Sequence, residues 1–270
     1  MEMINMYATD FTFDGRKLSN YGLMIGEISG NSSSTTTTGG VTVKNVSVPG
    51  KDSFEIYAST YGGSIVWEIG LIKYDCSDIN NHYISQTEDA VIRRWLIRKD
   101  GYHWIHFNQD EFEDIFYKVY INLSPIYING RLVGYHATIT SNCEYGFSKE
   151  HVYDFSLNGS DSFEIVNISD EHGYIYPTYT ITSLSSGNLI FQNLCEEDQN
   201  RYTQLYDIKN NQIVHIDSEN EIIEGISYDK WNWKFPRMVQ DVYGYKSNKF
   251  TSNLPCTVNM KIRYPRKAVI

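Results

Sequence analysis

The chain has 270 residues, of which 41% are hydrophobic and 21% are charged, a balance typical of globular domains and not of disordered segments. Its formal net charge is −10, which argues against a protein that tracks nucleic-acid phosphates. The length suits two ordinary cores, and no apolar run approaches the roughly 18 residues needed to span a membrane.

The first segments along the chain have strand patterns. Asp14-Gly15 lies between alternating residues and predicts a hairpin within residues 11–23. Strands are also predicted at residues 41–45 and at residues 64–74. In the second of these, one buried face is predicted to carry Ile65, Trp67, Ile69 and Leu71.

Between these strands lies GNSSSTTTTGG, which has no apolar side chain to bury. Such a segment is either a surface insertion without a role or an arm that becomes ordered between subunits. Both interpretations stay open. If it is an arm, its candidate subunit-contact residues are Gly30, Ser34, Thr36, Thr38 and Gly40.

One α-helix is predicted, from Ser85 to Lys99. Ser85 and Glu88 have the spacing of a capping box, in which each side chain binds the other residue's backbone N–H. Acidic residues come first and basic residues follow, as the helix dipole favours. Asp100-Gly101 is expected to end the helix. The apolar stripe is predicted to comprise Ala90, Val91, Trp95 and Leu96, with Ile92 at its margin.

The pattern weakens near residue 147, so two domains are predicted, residues 1–147 and residues 148–270. The second half has short strand patterns about every ten residues, with turns between them. This spacing is typical of an antiparallel β-sandwich. The expected fold is therefore mainly β, with an N-terminal β-rich domain that carries the helix and a C-terminal sandwich.

Residue types that could carry chemistry do not converge in the sequence. His103 and His106 lie near several acids, but they would point to opposite faces of a strand, so an exposed acidic turn is favoured over a metal site. Signatures of hydrolases and nucleotide-binding sites are missing. A glycosidase-type pair of carboxylates converging from distant strands stays an alternative, but nothing in the sequence selects such a pair. We therefore expect no enzyme activity, no cofactor and no metal.

Three aromatic residues, Trp231, Trp233 and Phe235, alternate in the sequence. On a strand their rings would share one face, either as a sugar-stacking platform or as the inner face of the sandwich. Core packing is favoured, because large aromatic side chains dominate such cores.

Taken in chain order, several segments resemble the distal tail protein (Dit) family of long-tailed bacteriophages, the siphovirus-type tail component family. The sequence departs from the family pattern at Ser53, where glycine is common, at CEYGFS, and after Phe235-Pro236, where no G-x-N follows. The segments that carry the resemblance are FTFDGRKLSNYGLMIGEI, VPGKDSFEI, AVIRRWLIRKDGYHWIHF, FEIVNISDEHGYIYPTYTI, LIFQNL, IVHIDSENEII and KWNWKFPRMV.

The resemblance implies a ring-forming N-terminal domain and a C-terminal galectin-like sandwich. It implies a homohexamer that connects the tail tube protein to the tail hub or tail-associated protein, with receptor-binding proteins as further partners. Such a protein lies at the virion tail tip and is assembled in the host cytoplasm. DNA passes through the ring without specific binding, and no membrane is involved. We expect the excess acids to face the channel, where they would repel DNA phosphates.

The alternative function is a carbohydrate-binding module that recognises host cell-wall glycans. A galectin-like fold does not itself imply sugar binding. The sugar-site motifs of galectins, H-x-N-P-R and W-x-x-E-x-R, are absent from this sequence.

Overall fold

A computed structural model describes residues 8–26, 34–37, 41–47, 49–50, 54–61, 63–73 and 82–267. The chain divides into two compact units. The first contains residues up to Phe147 together with Lys267, and the second is Ser148–Arg266. The strand pairs are antiparallel and the described part has one α-helix, which confirms the mainly β fold class. No helix among the described residues is long and apolar enough to cross a membrane.

The first unit is built on one large antiparallel sheet, in the order β2-β1-β8-β9-β10-β7-β3, with β4 beside β7 and β11 beside β9. Strands β5 and β6 form a separate pair. The elements are β1 (Phe11–Phe13), β2 (Arg16–Lys17), β3 (Leu23–Ile25), β4 (Ser34–Thr37), β5 (Val41–Ser47), β6 (Phe54–Tyr61), β7 (Ile65–Lys73), α1 (Gln86–Leu96), β8 (His103–Phe107), β9 (Phe116–Ile128), β10 (Arg131–Ser141) and β11 (Gly146–Phe147).

The predicted hairpin at Asp14-Gly15 is confirmed, since β1 and β2 pair across it. Both turn residues have positive φ, 49° for Asp14 and 75° for Gly15. This is the turn geometry that matches the twist of two-residue hairpins, and Asp-Gly adopts it readily.

The core of the first unit lies on one face of the large sheet. The predicted face of β7 is confirmed, because Ile65, Trp67, Ile69 and Leu71 are all buried. Helix α1 buries its own apolar side chains in the same cluster. Trp95 stacks on Tyr21 at 4.3 Å between ring centroids and donates its Nε1–H to the Phe13 carbonyl oxygen at 3.1 Å.

Helix α1 confirms the predicted start and corrects the predicted end and stripe. Ser85 and Glu88 form the capping box. The helix ends at Leu96 instead of Lys99, because Ile97 is extended and Arg98 turns to pair with Asp14 and Asp100. The buried residues are Ile92, Trp95 and Leu96. Their i, i+3, i+4 spacing defines one helix face, which leaves the predicted Ala90 and Val91 exposed.

The second unit is an antiparallel β-sandwich, as predicted. One sheet has the order β12-β22-β15-β18-β19 and the other β13-β21-β16-β17, and β14 pairs with β20. The strands are β12 (His151–Asn158), β13 (Ser162–Asn167), β14 (Gly173–Ile175), β15 (Thr178–Ser183), β16 (Gly187–Asn193), β17 (Thr203–Ile208), β18 (Ile213–Asp217), β19 (Ile222–Glu224), β20 (Met238–Gln240), β21 (Lys246–Ser252), β22 (Pro255–Ile262) and β23 (Pro265–Arg266).

Aromatic rings join the two sheets of the sandwich. Phe191 and Phe250 belong to one sheet and stack at 5.4 Å between centroids. Tyr179 comes from the other sheet and meets the Phe191 ring edge-on at 5.5 Å. All three are fully buried, so the inner faces of the two sheets form the core of this unit.

Candidate functional site

The predicted contact arm lies partly within the described residues. Ser34 and Thr36 belong to β4, which pairs in antiparallel register with β7 opposite Glu68 and Val66. The other three candidate residues, Gly30, Thr38 and Gly40, lie outside the described residues. Part of the segment is therefore a strand of the large sheet, and its role in subunit contact stays a prediction.

The β5–β6 pair is a two-stranded ribbon outside the large sheet. In the part of the chain that the structure describes, these strands pair only with each other. Apolar side chains on both strands are exposed, with Ile56 68% and Tyr57 79% accessible, and Val43 and Val46 also exposed. A lone ribbon is marginally stable in water. Strand β6 was not predicted from the sequence, although a turn followed by an aromatic and β-branched run signals such a strand.

The residues near His103 form an ion-pair network. The His103 ring lies 3.1 Å from an Asp100 carboxylate oxygen and 3.8 Å from an Asp14 oxygen. Arg98 pairs with both carboxylates, and mainly its hydrogen bonds hold the pKa of Asp100 below its usual range. Arg98 therefore supplies a permanent positive charge to both carboxylates.

The other histidine that was weighed as a metal ligand, His106, lies apart from this network. His106 stacks on Phe116 at 4.9 Å between ring centroids. The acids that follow it lie in and after a 3-10 helix, Asp110–Phe112. Within the described ranges, no three histidine, cysteine, aspartate or glutamate residues come together as a metal site would require.

The second unit carries an exposed apolar loop between β20 and β21. Val242, Tyr243 and Tyr245 are all exposed there. A buried glutamine holds the base of the loop: Gln240 Nε2 donates to the Ser169 carbonyl at 2.7 Å, and its Oε1 accepts from the Lys246 backbone N–H at 2.8 Å. The loop is therefore fixed at its base, while its apolar tip faces solvent.

The prediction for Trp231, Trp233 and Phe235 is correct for two of the three rings. Trp231 and Phe235 are buried in the sandwich core. The segment is not a regular strand, because Trp231 makes an isolated bridge to Leu205 and Trp233 has a φ of 57°. A positive φ breaks the two-residue alternation, so the Trp233 ring turns outward and is 57% accessible.

Comparison with protein families gives one match in each half of the chain. Residues 6–143 match a family described as "Phage tail protein N-terminal domain". Residues 145–263 match one described as "Phage tail C-terminal domain". The chain belongs to this family of phage tail proteins. No curated protein matches this tail protein significantly.

Two solved structures share the fold of the tail protein along nearly its whole length. The crystal structure of phage SPP1 Dit, described as a paradigm of the hub adsorption apparatus in phages that infect Gram-positive hosts, has a TM-score of 0.60 at 12% identity. The alignment covers 94% of this chain and 98% of that one. A chain of the phage p2 baseplate, in its activated conformation with Sr, has a TM-score of 0.55 at 9% identity, with 96% and 99% covered.

These matches confirm the resemblance to distal tail proteins. The family matches in both halves make the tail protein a component of a phage tail. At such low identities the two structures show a shared fold and nothing about individual residues. The function of each exposed surface must therefore be argued from this chain.

Proposed function

We propose that this phage tail protein forms a hexameric ring at the tail tip. The ring joins the tail tube protein to the tail hub or tail-associated protein and surrounds the channel through which DNA passes. Its role is structural and not catalytic. The family matches in both halves and the nearly full-length likeness to SPP1 Dit and the p2 baseplate chain support this proposal.

The observation that carries the proposal is the β5–β6 ribbon. Ile56 and Tyr57 are among its most exposed side chains, and covering them would gain roughly 25 cal/mol for each Å² of apolar surface removed from water. A ribbon that reaches from one copy onto a different surface of the next makes a head-to-tail contact. Contacts of that kind generate closed rings when the rotation between copies closes.

The test compares two variants of the full chain by light scattering on a sizing column. The wild-type chain should form a hexamer or show a concentration-dependent step towards one. Replacing Ile56→Ser and Tyr57→Ser together should give monomers with unchanged circular dichroism. The control is Val152→Ser, a half-exposed β12 residue in the second unit, which should assemble normally. Normal assembly of the double variant would contradict the proposed ribbon contact.

The segment from Gly30 to Gly40 is a second proposed subunit contact. Deleting residues 32–38 should weaken the hexamer and leave both units folded. The deletion removes β4, which pairs with β7 in the large sheet. Near-ultraviolet circular dichroism must therefore show that the first unit is still folded when assembly is measured. Unchanged assembly would remove this segment from the interface.

The second unit is proposed to hold other tail proteins, including receptor-binding proteins. The loop carrying Val242, Tyr243 and Tyr245 supports this role, because exposed aromatic side chains on a fixed base suit a protein interface. The net charge of −10 suits a channel that DNA crosses without binding specifically.

A further inference from the structure

Two exposed aromatic rings form a stacked pair on the second unit. Tyr228 is 68% accessible and Trp233 is 57% accessible. Their ring centroids are 5.8 Å apart, and the ring planes differ by only 12°. More than half of the surface of each residue faces water, so most of this aromatic surface lies outside the sandwich core.

The backbone holds the Trp233 ring in a strained position. A φ of 57° is rare for a bulky residue and costs free energy unless the surroundings enforce it. Trp231, on one side, is buried and lies 4.7 Å from the Trp233 ring. On the other side, the Lys234 carbonyl accepts a hydrogen bond from Thr203 Oγ1 at 2.6 Å. Contacts to the buried Trp231 and Thr203 on either side therefore preorganise the exposed ring.

Asn232 fixes the same turn through its side chain. Its Oδ1 accepts from the Gln204 backbone N–H at 3.0 Å, and its Nδ2 donates to the Tyr202 carbonyl at 2.8 Å. Because the turn is held before any ligand arrives, little ordering cost remains when one binds to the ring.

Residues that flank Tyr228 in sequence help to line an open groove of about 600 Å³ on the same unit. Ser227 and Lys230, on either side of Tyr228 in sequence, both contribute to its wall. Lys230 Nζ lies 3.4 Å from an Asp207 carboxylate oxygen, so part of the charge is balanced within the groove. The polar lining also includes Lys209, Asn210, Asn211 and Gln212.

We propose that the second unit binds an oligosaccharide at this place. One sugar ring packs its C–H face on Tyr228 and Trp233, and the hydroxyl groups of neighbouring sugars hydrogen-bond to the amide and charged side chains of the groove. A sugar has an apolar face and polar edges, which match aromatic rings beside amides. A protein partner would instead favour an apolar groove, because the central side chains of a protein interface are buried away from water.

The experiment applies the intact chain to an array of neutral hexose, N-acetylhexosamine and glycerol-phosphate oligomers. The strongest binder is then titrated against wild type and Trp233→Gly, with the heat of binding in isothermal titration calorimetry as the readout. Glycine accepts the positive φ, so this variant should fold. The matched control is Tyr243→Ala, which removes a 97% accessible ring elsewhere on the unit.

Wild type and Tyr243→Ala should bind the same oligomer equally, and Trp233→Gly should bind it about tenfold more weakly. A blank array with the intact chain at about 1 mM oligomer overturns the proposal. Equal binding by Trp233→Gly overturns it as well. If Trp233→Gly alters only incorporation into reconstituted tails, the surface is a protein interface and the glycan proposal is wrong. These outcomes do not depend on the oligomeric state, so the ring proposal is tested separately.

Discussion

At the scale of single residues, the buried carboxylate of Glu196 depends most strongly on its ion-pair partners. Its side chain is only 3% accessible. Arg237 donates two hydrogen bonds to it, at 2.7 Å and 2.9 Å, and Arg201 lies 3.6 Å away. A charge buried this deeply is tolerated only when its partners have good hydrogen-bond geometry. Glu196, Arg237 and Arg201 therefore depend on one another.

We expect Glu196→Gln to lower the free energy of unfolding of the second unit by about 3 kcal/mol, because it leaves two partly buried guanidinium groups without a counter-charge. Urea denaturation of the full chain measures this loss. The control is Asp207→Asn, which removes an exposed partner of Lys230 and should cost well under about 1 kcal/mol. Similar losses in both variants would mean that the burial of Glu196 has little energetic importance.

At the scale of elements, the anchor of α1 is Trp95. Its ring is buried between Tyr21, Phe11 and Phe13. Trp95→Ala should therefore cost about 3–5 kcal/mol, from lost burial and the cavity that remains. The comparison is Val91→Ala on the exposed face of α1, which should change stability by less than about 0.5 kcal/mol. Thermal or urea unfolding distinguishes the two, and a small loss for Trp95→Ala would place the helix outside the core.

The N-terminus of α1 should make stability depend on pH. Lys73 Nζ binds the Glu88 carboxylate at 2.8 Å, and chiefly this hydrogen bond lowers the Glu88 pKa to about 2 from 4.5. The folded state therefore binds fewer protons between these values. The stabilisation is complete above about pH 4.5 and is lost as the pH falls towards 2.

The variant Glu88→Gln removes the charge but keeps a side chain that can complete the capping box. Near pH 7 it should cost about 1 kcal/mol, because Glu88 is 43% accessible and solvent weakens the pair. Near pH 3 the difference from wild type should shrink. Ser85→Ala should cost about 1 kcal/mol at both pH values, since it removes an uncharged cap. A Glu88→Gln loss that does not change with pH would contradict the role of Lys73.

Elements could be predicted from the sequence where their residue pattern depends only on the local backbone geometry. Strand β7 has one buried face, so its alternation is complete, and Ser85 with Glu88 marks the start of α1 by local hydrogen bonds. The Trp231–Phe235 prediction failed at Trp233, because a period of two assumes an extended backbone at every residue. The exposure of the β5–β6 ribbon depends on the surrounding elements, which no local pattern encodes.

At the scale of the whole molecule, each unit encloses its own apolar cluster. The cluster of the first unit contains Trp67 and Trp95, and that of the second contains Phe191 and Phe250. We therefore expect each unit to unfold cooperatively on its own, with its own free energy of unfolding. Scanning calorimetry should show two transitions. Trp95→Ala should lower only one of them, and Glu196→Gln only the other.

The same two transitions also test which unit makes the proposed subunit contact. Assembly stabilises whatever part of the chain makes the contact, by mass action, and therefore more at higher protein concentration. If the β5–β6 ribbon makes the contact, only the transition that Trp95→Ala lowers should rise with concentration. The Ile56→Ser and Tyr57→Ser double variant should abolish that rise. A concentration-dependent rise in the transition lowered by Glu196→Gln would instead place the subunit contact in the second unit.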